Sequence, residues 1–190
     1  MFSVLVQMWK ELTACVLLDM SKAFDSVDHQ ILLRKLQDVG TSTSALQWFN
    51  SYLTIRYQVV WIHSSVSDPI PVEYEVPQGS ILGPLFSIYV NDLPEAPRNC
   101  STEWYVDDTK LFVSFHSQNT QRIVEEMNGD FLGVRNWCFR NPLLLNPDKT
   151  KLIVFESRQM TSKLHEFRLS LLEKDISPVQ SAKDLGVILD

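Results

Sequence analysis

Residues 14–18 (ACVLL) form a short apolar run that stops on a charged residue, Asp19. The pattern reads as a buried strand delivering a carboxylate at its tip. It constrains the fold more than any other feature, because a buried strand has backbone groups on both edges to satisfy. Residues 103–106 and 110–115 read as a β-hairpin whose turn holds Asp107 and Asp108, and KLIVF at 151–155 reads as a further strand. A strand-end aspartate facing a hairpin-turn aspartate would bring together carboxylates that lie far apart in the chain.

Between these segments the period changes. Asp28 suits the N-cap of a helix carrying Leu32, Leu33, Leu36 and Val39, with Gly40 at its C′ position. Thr41, Ser42 and Thr43 open a second helix, whose Ala45, Trp48, Phe49, Tyr52 and Leu53 fall on one face expected to be buried. From 57 to 76 the alternation is that of strands, with Ile70, Val72, Tyr74 and Val76 on one side, Pro71 marking an edge and SDP (67–69) a turn between two strands. Gly83-Pro84 starts a short helix. Thr120 is expected to cap a helix with Ile123, Val124, Met127, Phe131, Val134 and Cys138 on its buried stripe. Gly129 and Gly133 should weaken that helix by about 1 kcal/mol each. Residues 141–148 read as a loop, and short strands end the chain, the last at 184–189. The class is therefore α+β. No Pro/Gly/Ser-rich linker divides the 190 residues, so one domain is expected.

Charge bears on the partner. Lys and Arg total 17 against 23 acidic residues, whereas proteins that grip a phosphate backbone usually show a basic patch. Lys149, Lys151, Arg158 and Lys163 are the nearest approach to one. Cys15, Cys100 and Cys138 show no CxxC spacing, which argues against a disulfide framework, a disulfide-linked partner and a zinc site. Reduced thiols suit an intracellular setting, nuclear or cytoplasmic. The opening MFSVLVQMWKEL lacks a basic n-region, and no window approaches a membrane span, so neither secretion nor a membrane partner is expected.

Four linked motifs carry a resemblance. LLDMSKAFDSVDH, VPQGSILGPL, YVDDTKLF and LNPDKTKLIVF follow one another over about residues 14–155. In that order they resemble the palm of a reverse transcriptase from a non-LTR (LINE-type) retrotransposon. The resemblance implies a palm-like antiparallel sheet packed on helices, over a core at 14–155 followed by a strand region at 156–190. It implies RNA-directed DNA polymerase activity with an RNA template, a DNA primer and dNTP as partners. Two magnesium ions, replaceable by manganese, would be held by Asp19, Asp107 and Asp108. Two hard cations stabilise both the attacking and the leaving oxygen of an in-line displacement at phosphorus, and magnesium takes oxygen ligands. Phe24 would stack under the sugar and exclude a 2′-hydroxyl. Gln78 and Gly79 would shape the nucleotide pocket, and Lys149 would neutralise the leaving pyrophosphate. Asp25 and Asp28 look structural, at a helix entry and cap.

The sequence departs from the family in several places. Val106 stands where relatives often have alanine, and is expected to sit in a strand. Glu75 stands where glycine is usual, before PQGS. GPLFSIYVNDLP looks one residue short, which should misalign helix contacts after Leu85, since one residue turns a helix by about 100°. The family's fingers and thumb are expected to be largely missing, which would account for the acidic balance and leave a truncated chain with little or no activity alone. Two rivals follow: an inactive or repurposed palm that binds RNA or protein, and another two-metal nucleotidyl transferase such as a nucleotide cyclase.

Overall fold

The computed structural model describes residues 12–76, 83–155 and 167–190. Strands β1 (Leu12–Leu18) and β2 (Met20–Ser21) flank Asp19, and helices α1 (His29–Asp38) and α2 (Thr43–Leu53) follow. Four two-residue strands come next, β3 (Tyr57–Gln58), β4 (Trp61–Ile62), β5 (Ser65–Val66) and β6 (Ile70–Pro71). After α3 (Pro84–Tyr89) the chain forms β7 (Ser101–Tyr105), β8 (Asp108–Phe115) and the long α4 (Thr120–Arg140). It continues through β9 (Leu144–Leu145), β10 (Lys151–Phe155), β11 (Leu169–Leu171), β12 (Lys174–Ile176), β13 (Ala182–Asp184) and β14 (Val187–Leu189).

Two compact units can be distinguished within the chain. One comprises Met1–Ser21, Asp92–Arg140 and Leu144–Asp190; the other comprises Lys22–Asn91 with Asn141–Leu143.

The first unit is built on an antiparallel sheet in the order β10-β1-β8-β7. Its register sets Val16 opposite Leu111 on one side and Leu152 on the other, all three fully buried. Burying such a side chain contributes about 1.5–3 kcal/mol. Helix α4 packs on β8, β9 and β11 and buries the expected Ile123, Met127, Phe131, Val134 and Cys138, with Val124 half-buried. Thr120 does not cap it as expected. Its hydroxyl donates to the Ser117 carbonyl at 2.7 Å, because a 3-10 turn at Ser117–Asn119 already leads into the helix. On the sheet's other face, the β13–β14 hairpin helps enclose a cavity of about 300 Å³ with Thr13, Cys15, Phe112 and Phe155.

Two expectations about strands are corrected. Residues 184–189 are not one strand but a hairpin, turned by Leu185 and Gly186 at φ 45° and 86°. Within 141–148, β9 is a strand paired with β2, Leu145 opposite Met20.

The two glycines of α4 do opposite things. A Cβ on Gly129 would meet nothing within 4 Å, whereas one on Gly133 would lie 2.5 Å from the Ala96 carbonyl oxygen. Gly129→Ala is expected to stabilise the chain by about 1 kcal/mol. Gly133→Ala is expected to destabilise it by about 2 kcal/mol, because backbone must move. Urea denaturation of the two variants checks both signs.

In the second unit the local signals hold at α1. The Asp28 carboxylate accepts from the Gln30 and Ile31 N–H groups at 2.8 and 2.9 Å. At the other end Gly40 adopts φ 85°. Its N–H and that of Thr41 return to the Gln37 and Leu36 carbonyls at 2.9 and 3.1 Å, closing the helix with a left-handed C′ residue. Leu32 and Leu36 are buried, but Val39 is half exposed because the helix has ended before it.

The expected burial of α2's stripe is not realised. Leu53 is buried, while Trp48 and Tyr52 are exposed and stack on each other at 5.6 Å. Periodicity reports an apolar face, not a layer that covers it. The strands at 57–76 shrink to β3 paired with β6 and β4 paired with β5, with Ile70 and Tyr74 exposed. SDP falls between β5 and β6, which do not pair with each other. Helix α3 starts on Pro84 as expected and buries Leu85, Phe86 and Tyr89, with Val90 buried at its C-cap.

Candidate active site

Asp19 sits in the one-residue gap between β1 and β2, and a distant loop braces its backbone. Its N–H donates to Thr150 Oγ1 at 3.3 Å, and its carbonyl accepts from the Asn146 N–H at 2.8 Å. Thr150 Oγ1 in turn donates to the Asn146 carbonyl at 2.8 Å, and Asn146 Oδ1 accepts from the Asp148 N–H at 3.1 Å. The segment 146–150 is thus folded on itself and clipped to both backbone groups of Asp19.

The β1–β8 register runs through Leu17 opposite Lys110 and Leu18 opposite Thr109. Asp19 follows directly after the last pair of that ladder, and Asp108 precedes Thr109 on the opposite strand, close enough for the Asp19 charge to act on it. The Tyr105–Asp108 pair closes the β7–β8 hairpin, so the turn is Val106–Asp107 and Asp108 is the first residue of β8. This corrects the expectation that both aspartates lie in the turn and that Val106 lies in a strand. Val106 has φ 58°, the left-handed value that a two-residue hairpin requires at its first central position. A β-branched side chain is strained there. Val106→Gly is expected to raise stability by about 1 kcal/mol, read as a higher melting temperature.

Charge converges at this edge. Burial, and then the negative charges of Asp107, Asp184 and Asp19, push the Asp108 carboxyl above its ordinary value, with Lys110 pulling the other way. Lys110 itself pairs with Asp184 of β13 at 2.6 Å. Asp19 Oδ2 is buried without a hydrogen-bond partner, an acceptor left open at the strand tip. Among the described residues no group of three or more His, Cys, Asp or Glu side chains is placed to hold a metal ion unaided. Magnesium usually binds through one or two carboxylates plus substrate phosphates, so the orphaned Asp19 oxygen and the destabilised Asp108 charge fit such an ion.

The structure describes two of the other four residues expected at the site, one in each unit. Lys149 is exposed on the bracing loop, its backbone N–H on the Asn146 carbonyl at 3.3 Å. Phe24 belongs to the second unit, where it is buried and stacks on Phe86 with ring centres 4.5 Å apart. Gln78 and Gly79 lie outside the described residues.

Sequence reasoning missed the brace and one buried carboxylate. The NPD segment carries an Asn-Pro turn signal, but its long-range target is invisible locally. Asp130, buried on α4, accepts from the N–H groups of Arg98, Asn99 and Cys100 at 2.8, 2.9 and 2.7 Å and from Asn99 Nδ2 at 3.0 Å. It anchors the start of β7, whose far end carries the Val106–Asp107 turn. Burial alone would raise its pKa, but the backbone donors outweigh that and hold it below the usual carboxylate range.

Comparisons with known proteins address the family and the fold. The family described as reverse transcriptase (RNA-dependent DNA polymerase) matches residues 3–189. The probable RNA-directed DNA polymerase from transposon BS of Drosophila melanogaster is 33% identical over 95% of the chain. The RNA-directed DNA polymerase from the mobile element jockey of the same species is 28% identical over 95%. The chain spans 20% of the length of each. Among solved structures, telomerase from Candida tropicalis in complex with a TWJ fragment of telomeric RNA aligns with a TM-score of 0.58 at 15% identity, over 83% of this chain and 28% of that one. The apo telomerase of the same species, truncated from its C-terminal domain, gives 0.56 at 16%, over 87% and 34%. At those identities the likeness is one of fold, and the fold is palm-like. With the family matched along nearly its whole length and an antiparallel sheet that sets Asp19 beside Asp108, the chain belongs to the reverse transcriptase (RNA-dependent DNA polymerase) family, as a domain of the non-LTR retrotransposon type.

Proposed function

We propose that this chain is the palm segment of an RNA-directed DNA polymerase that adds a deoxynucleotide to a primer 3′-hydroxyl on an RNA template. The observation that carries the reading is the β1–β8 register, which brings Asp19 beside Asp108, with Asp107 in the adjoining turn. Asp19, Asp107 and Asp108 would hold two magnesium ions, or manganese. Bound there, the ions would supply charge stabilisation for the oxygens of an in-line displacement. The chain's own residues do the positioning. The brace from Asn146 and Thr150 fixes where the Asp19 carboxylate emerges, and the tight hairpin fixes Asp107. As the primer oxygen bonds to the α-phosphorus and the bond to pyrophosphate breaks, Lys149 would neutralise the leaving group. Phe24 would select the sugar, and Gln78 with Gly79 would shape the nucleotide pocket. Unpaired thiols at Cys15, Cys100 and Cys138 support an intracellular setting, nuclear or cytoplasmic. Among the described residues no helix is long and apolar enough to cross a membrane.

Because the chain spans a fifth of its relatives, we infer that alone it turns over little or not at all. Primer extension with labelled dNTP on an RNA template tests this: incorporation by the purified chain, lost in Asp107→Asn, overturns the inactivity. The metal reading is tested separately, by titrating Mn²⁺ and counting free ion by electron paramagnetic resonance. An affinity unaffected by Asp107→Asn or Asp19→Asn would sink it.

A further inference from the structure

Glu75 stands where the reverse transcriptase pattern has glycine, and its φ of 94° shows why glycine suits the position. A side chain at such an angle is strained, and persists only where its surroundings over-determine the backbone. The surroundings are specific. The Glu75 N–H donates to the Val27 carbonyl at 3.0 Å, and the Val76 N–H donates to the Phe24 carbonyl at 3.0 Å. Tyr74 forms an antiparallel bridge with Asp28. Buried His29, 4% exposed, places Nε2 2.9 Å from the Glu75 carbonyl oxygen. A carbonyl only accepts, so Nε2 carries the proton.

The Glu75 carbonyl and the Val76 N–H belong to one peptide plane. That plane is therefore gripped at both edges, by His29 on its oxygen and by Phe24 on its nitrogen. The φ of Glu75 is the turn between this plane and the preceding 74–75 plane, which the Val27 carbonyl holds through the Glu75 N–H. The angle therefore relaxes only if one of the two planes lets go of its partners. We propose that His29 is a positioning residue: its Nε2–H holds the 75–76 peptide plane against the 74–75 plane, keeps Glu75 at its left-handed φ and so sets the chain direction at Val76 relative to Phe24. The consequence for nucleotide binding rests on the polymerase reading above; the lock itself does not.

Hydrogen–deuterium exchange on the full chain tests the lock without requiring turnover. In His29→Leu, protection of the Glu75 and Val76 amides is expected to fall about tenfold, with α4 amides unchanged. His29→Gln, whose amide nitrogen reproduces the Nε2 donor, should keep that protection. Adding Glu75→Gly to His29→Leu should restore part of it, because glycine adopts the angle without strain. Unchanged protection in His29→Leu, or equal loss in His29→Gln, overturns the proposal. Should His29→Leu unfold the whole chain, the double variant decides: regained folding supports the lock, and a double variant as unfolded as the single one overturns it. Binding of a fluorescent deoxynucleotide analogue separates the two readings. Absence of binding in the wild type removes the polymerase reading and leaves the exchange result standing. Where the wild type binds, His29→Leu should weaken it and His29→Gln should not.

Discussion

Asp19→Asn is expected to weaken Mn²⁺ binding by about a hundredfold while leaving the chain as stable as the wild type or more so. A ligating carboxylate contributes charge and a hard oxygen that an amide does not match. In the absence of metal the same carboxylate is a liability. Its Oδ2 is buried without a partner, and its charge is among those that push the Asp108 carboxyl up. Removing one of several crowded negative charges relieves repulsion, so the metal-free variant should melt at the same temperature or a few degrees higher, about 2–4 °C per kcal/mol for a chain of this size. Added Mg²⁺ should then raise the melting temperature of the wild type by mass action and leave the variant unmoved. An Asp19→Asn chain that loses stability and keeps its metal response would make Asp19 a structural residue.

Asp130 predicts the opposite pattern. Asp130→Asn is expected to cost about 3 kcal/mol at neutral pH, because an amide nitrogen would face the N–H donors that now share one carboxylate. The sign with pH follows from the depressed folded-state pKa. The stabilisation is complete above the unfolded carboxylate value, about 3.9, and is lost as pH falls through the lower folded value. The gap between wild type and variant in urea midpoints should therefore narrow below about pH 4. A gap that stays constant down to pH 2 would remove the charge from the explanation and leave packing. Since Asp130 ties down the start of β7, the variant should also loosen the Val106–Asp107 turn, seen as faster amide exchange in β7.

How much was legible beforehand follows the range of the interaction responsible. The Asp28 cap, the Gly40 terminus and the Pro84 start depend on groups within a few residues, and the sequence displays them. The buried stripe of α4 is nearly as plain, since its period repeats over 21 residues. Where the reading slipped, strand pairing or burial made the decision. One residue of register moved Val106 from strand to turn, because the cross-strand pair Tyr105–Asp108 sets where the hairpin closes. The stripe of α2 repeats as well as that of α4, yet Trp48 and Tyr52 stay exposed.

By itself the amino-acid sequence determined the family and the α+β class, since these reside in residue types at characteristic spacings. Only the tertiary structure decided that Asp19, just past the β1–β8 ladder, acts electrostatically on Asp108 and that Asn146 and Thr150 clip Asp19 in place. It alone showed Asp130 anchoring the β7 start and His29 gripping the Glu75 peptide. The physical reason is common to all four. A hydrogen bond or a cross-strand pair is specified by two partners at once, and each partner alone is an ordinary polar residue until folding brings the other within about 3 Å.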